Sequence, residues 1–449
     1  MRFFFFAITL LSLSYNSPLF GIDNRPNVIL ILSDDQGSVD LNCYGAKDLF
    51  TPSLDRLSRR GIRFTQFYAA APICSSSRAG IMTGQFPHRA GVPGNVSSQK
   101  GIAGMPTSKV TLAEMMKSAG YVTGHVGKWH LGYTPETMPG GQGFDLTFGH
   151  MGGCIDNYSH YFYWNGPNRH DLWKNGKEIW REGQYFPNLM VEECKHFIET
   201  NRKKPFFLYW AINMPHYPLQ GEEKWRKTYR HLTAPRKQYA AFVSTMDEKI
   251  GRVLSYLDRF NLTEKTIVIF QSDHGHSVEV RTFGGGGSAG PYRGAKFSMF
   301  EGGIRIPAMI SWPGHLPENE IRTQLATGCD WFPTIAELCR VKLPKRKLDG
   351  KSIVPVLKSA TVPSQHKWFH WQLGNGPRAQ WAVREDHWKL IGNPRDPVHK
   401  NSLGPNNKLF LVDLEKDIGE KTNIAKDHAD VVKRLKKRHN LWKHDVLHN

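Results

Sequence analysis

Four short apolar runs, each cut off by ionisable residues, constrain what this chain can fold into more than any other feature. They are 28–32, ending at Ser33-Asp34-Asp35; 121–126, ending at Gly127-Lys128-Trp129-His130; 206–212, ending at Asn213-Met214-Pro215-His216; and 267–270, ending at Ser272-Asp273-His274-Gly275. Unbroken apolar runs of this length read as strands covered on both faces, and the sudden polar residues mark where each leaves the core. Helical patterns lie between them. Thr51-Pro52 opens one that Gly61 closes, Thr111-Leu112-Ala113-Glu114 reads as a capping box, and 239–260 is long and amphipathic. This alternation predicts an α/β fold with a mainly parallel sheet between layers of helices.

Beyond the four runs, composition changes near Pro344-Lys345-Arg346-Lys347. Shorter strand-like stretches follow at 367–372, 381–383, 388–391 and 408–412, separated by Gly, Pro and Asn turns, and a basic helix is predicted over about 428–442. The organisation expected is a large domain over 22–350 and a smaller α+β domain over 351–449, with a short antiparallel sheet and a terminal helix. No solenoid-type repeat is present in the sequence. At the other end Arg2 precedes an apolar stretch, 3–13, and small polar residues. That stretch is too short to span a bilayer and has the form of a secretory signal, so residues 1–21 are expected to be removed on export to the periplasm or the outside.

With 59 Lys and Arg against 40 Asp and Glu, the net charge of +19 over 449 residues favours anionic partners. Export makes nucleic acid an improbable one and leaves extracellular or periplasmic polyanions. The six cysteines, Cys43, Cys74, Cys154, Cys194, Cys329 and Cys339, are too widely spaced for a disulfide scaffold.

Ligands of open α/β sheets gather beyond the carboxyl ends of the strands. A candidate site therefore holds Asp34, Asp35, Lys128, His130, His216, Asp273 and His274. Any one of these alone reads as a helix cap or surface residue; four strands ending alike point to chemistry. Three carboxylates brought together repel one another unless a cation sits among them, and oxygen ligands suit a hard divalent ion, Ca²⁺ or Mg²⁺. No Cys or His pair has zinc-ligand spacing.

The segment Pro72-Ile73-Cys74-Ser75-Ser76-Ser77-Arg78-Ala79-Gly80-Ile81-Met82-Thr83-Gly84 adds a motif. It resembles the signature of the formylglycine-dependent sulfatases of the alkaline phosphatase-like superfamily: Cys, any residue, Pro or Ala, any residue, Arg, then an apolar stretch ending in Thr-Gly. Ser76 departs from the usual Pro or Ala. Asp34-Asp35 upstream, and Gly127-Lys128-Trp129-His130-Leu131-Gly132, Pro215-His216, Asp273-His274-Gly275, Gly294-Ala295-Lys296 and the closing run 408–417 downstream, follow in family order. The resemblance covers nearly all of the chain after residue 21.

What the resemblance implies is specific. The fold is a large mixed, mostly parallel sheet flanked by helices, with a smaller C-terminal α+β domain. A maturation enzyme oxidises Cys74 to formylglycine, whose hydrate carries two hydroxyls. One attacks sulfur and expels the alcohol; the other then loses its proton so that sulfate is eliminated from the covalent sulfo-enzyme. Asp34, Asp35, Cys74, Asp273 and His274 hold the metal, Ca²⁺ ahead of Mg²⁺. Arg78 and Lys128 hold the diol, His130 takes the proton, and His216 and Lys296 grip the sulfate and assist the leaving alcohol. The substrate class is a sulfated carbohydrate; charge and export favour a sulfated polysaccharide, an algal galactan or a glycosaminoglycan. Two rivals are a phosphodiesterase or phosphonate monoester hydrolase of the same superfamily, and a non-catalytic binder of sulfated glycans. The His- and aromatic-rich stretch 150–180 suits either sugar stacking or an ordinary core, and Gly284 to Gly287 either a flap over the site or a loose surface loop.

Overall fold

The computed structural model describes residues 1, 24–164, 167–399, 403 and 408–448. The signal segment expected at 1–21 lies outside the described residues, apart from Met1. The four apolar runs become the strands Asn27–Ser33, Val122–Lys128, Phe206–Ala211 and Thr266–Ser272. They lie side by side and parallel, Thr266–Ser272 and Phe206–Ala211 flanking Asn27–Ser33, with Val122–Lys128 outside Phe206–Ala211. Six more strands complete a ten-stranded mixed sheet. Leu146–His150 extends it in parallel beyond Val122–Lys128, and Ala308–Ser311 adds antiparallel to Thr266–Ser272.

Alternate side chains of these strands enter two different cores. Val28, Leu30, Leu32, Phe207, Tyr209, Ile267 and Ile269 pack on one face with Ala79, Ile81 and Met82 of the helix Cys74–Thr83 and with Leu112, Met115 and Met116 of the capped helix Leu112–Ser118. Ile29, Ile31, Leu208, Trp210, Val268 and Phe270 pack on the other, against the helices Pro52–Arg59, Phe186–Asn201 and Arg236–Arg259. A strand sandwiched in this way must be apolar at every position, and such a run ends only where the strand emerges at the edge of both layers. The predicted capping box is present, Thr111 Oγ1 accepting from the Glu114 amide at 3.0 Å and Glu114 from the Thr111 amide at 2.6 Å.

The C-terminal strands Trp368–Leu373, Gln380–Glu385, Trp388–Gly392 and Leu409–Asp413 form an antiparallel meander. One face buries Phe369, Trp371, Ala382, Ile391 and Phe410 against Tyr68, Met299, Phe300 and Ile304 of the main body. The other is covered by the helix Ala429–His448 through Val431 and Leu435. This shared apolar core fixes the small sheet to the large one. All six cysteines are free thiols. Among the described residues no helix is long and apolar enough to cross a membrane.

Candidate active site

The carboxyl ends of the four parallel strands bring the predicted residues together. Asp34 and Asp35 follow the first strand, Lys128 ends the second, His216 follows the third, and Asp273 and His274 follow the fourth. Cys74 starts the helix Cys74–Thr83, and Arg78 lies one turn on, so both side chains share a face. Gly84 closes that helix in the left-handed conformation with φ 64°, which explains the glycine ending the motif. Ser76 is buried and donates to the Val92 carbonyl at 2.8 Å, so its hydroxyl is satisfied inside the fold.

Ligand-type atoms of Asp34, Asp35, Cys74 and His274 all lie within 4.8 Å of one another. The Cys74 sulfur is 3.3 Å from His274 Nε2 and 3.9 Å from Asp34 Oδ1. Asp273 borders this group: its Oδ1 accepts from the Asp35 amide at 3.1 Å, and its Oδ2 accepts from Arg78 Nη2 at 3.0 Å. Lys128 donates to Asp34 at 2.6 Å, and Lys296 straddles both oxygens of Asp35 at 2.9 Å. Arg78 Nη1 donates to the Lys128 carbonyl at 3.0 Å and Nη2 lies 3.6 Å from Asp34. All of these side chains are buried.

Such crowding divides the titrations. Burial opposes the charge on Asp34, but Lys128, His216 and Arg78 outweigh it and hold the carboxyl well below its usual range. Burial carries Asp35 up to about 7 against the pull of Lys296, and Asp273 up to about 6 against that of His274. At Asp35 and Asp273, unlike Asp34, the cationic side chains therefore do not overcome burial, a deficit that a divalent ion would fill. Burial also works against the Cys74 thiolate, yet Lys128, Lys296 and His274 bring the thiol well below its usual value. His274 is buried too, but Asp273 and Cys74 raise it to about 9. Its Nδ1 donates to the Gly275 carbonyl at 3.0 Å, which turns Nε2 toward Cys74 and the carboxylates.

His130 and His216 face the cleft above this floor. Burial lowers both below the ordinary histidine value, and the charge of Lys128 adds to the effect. His216 Nδ1 donates to the Tyr217 carbonyl at 2.9 Å, so in the neutral ring Nε2 carries a lone pair and faces Asp35 at 3.6 Å. Asp35 and His130 both take left-handed backbone, φ 61° and 57°, unusual outside glycine and typical of positions held by their surroundings for a task.

The cleft has about 290 Å³ of free volume and reaches from Cys74, His130, His216 and Lys296 to Asn95, Arg169, Tyr217 and Arg281. The last four were not singled out from the sequence, because they sit on loops, a two-residue strand and a single 3-10 turn, all too short to show periodicity. The stretch 150–180 divides: Phe162 and Trp164 line the cleft, whereas His150, His160, His170 and Trp173 are buried. Exposed Trp180 stacks on His170 at 3.9 Å between centroids, and exposed Tyr158 on Tyr185 at 5.0 Å. The glycines of 284–287 are neither flap nor loose loop throughout. A Cβ at Gly285, Gly286 or Gly287 would fall within 2.8 Å of Ser277, Tyr239 or His276, so the chain is wedged there and only Gly284 is open.

Comparison with known proteins agrees with this geometry. Residues 26–341 match the family model Sulfatase, and 294–445 match N-sulphoglucosamine sulphohydrolase, C-terminal. The chain is 34% identical to N-acetylgalactosamine-6-sulfatase of Rattus norvegicus over 75% of its own length and 66% of that protein's, just under two thirds. It is 31% identical to arylsulfatase A of Homo sapiens over 89% of this chain and 83% of that one. The crystal structure of Ps i-CgsB in complex with k-i-k-neocarrahexaose superposes with a TM-score of 0.82 at 29% identity, covering 93% of this chain and 92% of that one. The chain belongs to the sulfatase family of sulfuric ester hydrolases, within the alkaline phosphatase-like superfamily.

Proposed function

We propose that this protein hydrolyses sulfate monoesters of a sulfated carbohydrate, with Cys74 converted to formylglycine by a maturation enzyme. The observation that carries the reading is the convergence of Cys74, two aspartates and His274 within 4.8 Å, ringed by Arg78, Lys128 and Lys296, at the floor of an open cleft. The substrate class is supported by the k-i-k-neocarrahexaose in complex with a structural relative and by the net charge of +19. Export makes that carbohydrate an extracellular or periplasmic polymer. Residues 22–350 are assigned the chemistry and 351–449 a supporting domain.

Asp34, Asp35, Asp273 and His274 would hold a calcium ion, together with the oxygen that replaces the Cys74 sulfur. These donors, mostly hard oxygens, fit such an ion, and burial that leaves Asp35 and Asp273 reluctant to ionise gives it a reason to bind. When bound, it supplies positive charge where an attacking oxygen must lose its proton. The rest falls to the chain's own side chains. Arg78, fixed between Asp34, Asp273 and the Lys128 carbonyl, orients residue 74 from one helical turn away. Lys128 and Lys296 hold the sulfate and offset the negative charge that grows on its bridging oxygen as the S–O bond breaks. His130, neutral through burial and the charge of Lys128, accepts the proton that releases sulfate. His216 donates only in its protonated form, because its Nδ1–H is committed to Tyr217, and the ester's own negative charge favours that form.

The test is direct. The tryptic peptide spanning Cys74 is expected to carry the mass of formylglycine or its hydrate, and matured protein to release sulfate from sulfated oligosaccharides but not phosphate from a phosphate diester. Release from the diester alone would reassign the chemistry. Glycan binding by protein with an unmodified Cys74 and no release would make it a binder.

A further inference from the structure

The wall of the cleft carries two guanidinium groups that the sulfatase chemistry leaves without a task. Arg281 is held between aromatic rings, its Cζ 3.1 Å from the centroid of Trp164 and 4.6 Å from that of Tyr217. Tyr217 in turn packs on His216, with centroids 4.0 Å apart. A second group, Arg169, lies with Cζ 4.0 Å over Phe162 and donates through Nη2 to the Ser98 carbonyl. Both line the same cleft as Cys74 and Lys296. Stacking on a ring fixes the plane of a guanidinium and leaves its edge, where the N–H groups are, for recognition.

Those edges are not used up. Among the described residues, Nε and Nη1 of Arg281 and Nε of Arg169 are buried without a hydrogen-bond partner. Arg281 donates to Glu279 through Nη2 alone, and Glu279 is divided, its other oxygen lying 3.6 Å from Lys296. Arg281 thus shares its one carboxylate with Lys296, which also holds Asp35. Buried donors of this kind are rare unless something in the working state accepts from them, and paired oxygens are the acceptors a guanidinium fork matches. The scissile sulfate is already provided for by Lys128, Lys296, His130 and His216. A different oxyanion is needed here.

We propose that Arg281, stacked between Trp164 and Tyr217, forms with Arg169 a second oxyanion subsite that takes a further sulfate or a uronate carboxylate on the same carbohydrate as the scissile ester. This rests on the sulfatase reading and names its substrate more closely: a sugar carrying at least two anionic groups. A sulfate and a carboxylate present the same paired oxygens, so the choice between them falls to experiment.

Wild type, Arg281→Gln, Arg169→Gln and the double variant are assayed on three probes: a hexose monosulfate, the same hexose as a disulfate, and a monosulfated disaccharide whose neighbouring ring is a uronate. Wild type is expected to favour one doubly anionic probe over the monosulfate by about 10- to 100-fold in kcat/KM, mostly through KM. That ratio is expected to fall toward one in the double variant, with Arg281→Lys, which keeps charge but not the fork, in between. The favoured probe identifies the oxyanion. No preference in wild type, or the same ratio in every variant, overturns the subsite. Calorimetry on the Cys74→Ala protein, with and without Arg281→Gln, reads the same preference as affinity and needs no turnover. Equal affinity for singly and doubly anionic probes there also overturns it. A preference in binding with no sulfate released by wild type would instead leave the subsite standing and remove the sulfatase reading.

Discussion

Among the described residues two buried clusters of charge contrast, one around Cys74 at the floor of the cleft and the other where the small sheet joins the main body. At the strand ends Asp34, Asp35 and Asp273 meet Arg78, Lys128 and Lys296. Where the small sheet meets the main body, Lys389 donates to Glu301 at 2.8 Å and to Glu420 at 3.0 Å, while Tyr68 donates to Glu301 at 2.7 Å and Arg305 lies 3.3 Å from it. Burial opposes ionisation of both glutamates. Lys389 and Arg305 overcome it at Glu301, held to about 2, whereas burial and the charge of Glu301 carry Glu420 to about 7. Burial and shifted titration are thus common to both clusters and do not distinguish them. What distinguishes the first is convergence: its ligand atoms close on one point beside Cys74, and its neighbours His130, His216 and Lys296 line open space. In the second, Glu420 accepts from the Glu301 amide at 2.6 Å and Lys389 lies between the two carboxylates, so the cluster closes on itself as a clasp between domains.

Substitutions that separate chemistry from stability test this distinction. Cys74→Ala should abolish sulfate release, a loss on the order of 10⁶-fold as for other enzymic nucleophiles. Its midpoint in urea should move less than that of Lys389→Met, because Lys128, Lys296 and His274, which face the sulfur, keep Asp34 and Asp35 as partners. Lys389→Met should do the reverse. It leaves two carboxylates buried without their shared cation, and the expected loss is about 3–5 kcal/mol in chemical denaturation, with kcat of the folded fraction retained. Lys128→Ala lies between them: a drop of about 10²- to 10³-fold in kcat with KM less affected. A Lys128→Ala enzyme with full turnover, or a Lys389→Met protein of full stability, would erase the contrast between the clusters.

The sequence carried the first cluster and not the second for a physical reason. A strand covered on both faces writes itself as an unbroken apolar run, so its end, and hence Asp34, Lys128 and Asp273, could be located without coordinates. Cys74 and Arg78 were legible only through the resemblance of their motif to the sulfatase signature; the helix that carries them has no apolar periodicity, being buried all round. Nothing comparable marks Lys389, Glu301 and Glu420, which stand 88 and 31 positions apart in two of their pairings and meet only because one sheet docks on another. Arg169 and Arg281 escaped for a similar reason, since a two-residue strand and a single 3-10 turn, too short for periodicity, present them to the cleft. The stretch 150–180 shows the limit of composition: its aromatics line the cleft at Phe162 and Trp164 and fill the interior at His160 and Trp173. Residue type alone does not tell one from the other.

Histidines sharpen the contrast at smaller scale. His274, among carboxylates, is raised to about 9, while His439 on the terminal helix and His370 beside it are lowered to about 3. Burial is the main cause for the latter two, reinforced by His439 and Arg438 at His370, and by Lys443 and His88 at His439. Their rings stack on tryptophans, His439 on Trp381 at 4.1 Å and His370 on Trp442 at 5.2 Å, and the Nδ1 atom of each is buried without a partner among the described residues. Below the ordinary histidine value the unfolded chain binds protons that the folded one refuses. The stability these rings contribute is therefore complete above about pH 6.5 and declines as pH falls toward 3, by about 1.4 kcal/mol per unit for each ring. His439→Phe keeps a ring for Trp381 and removes one titration. Its stability between pH 6.5 and 4, followed by urea denaturation, should decline less steeply than that of wild type by about that amount per unit. Parallel curves would mean that His439 is accessible to protons in the folded state, and that the terminal helix packs more loosely than the clasp it adjoins.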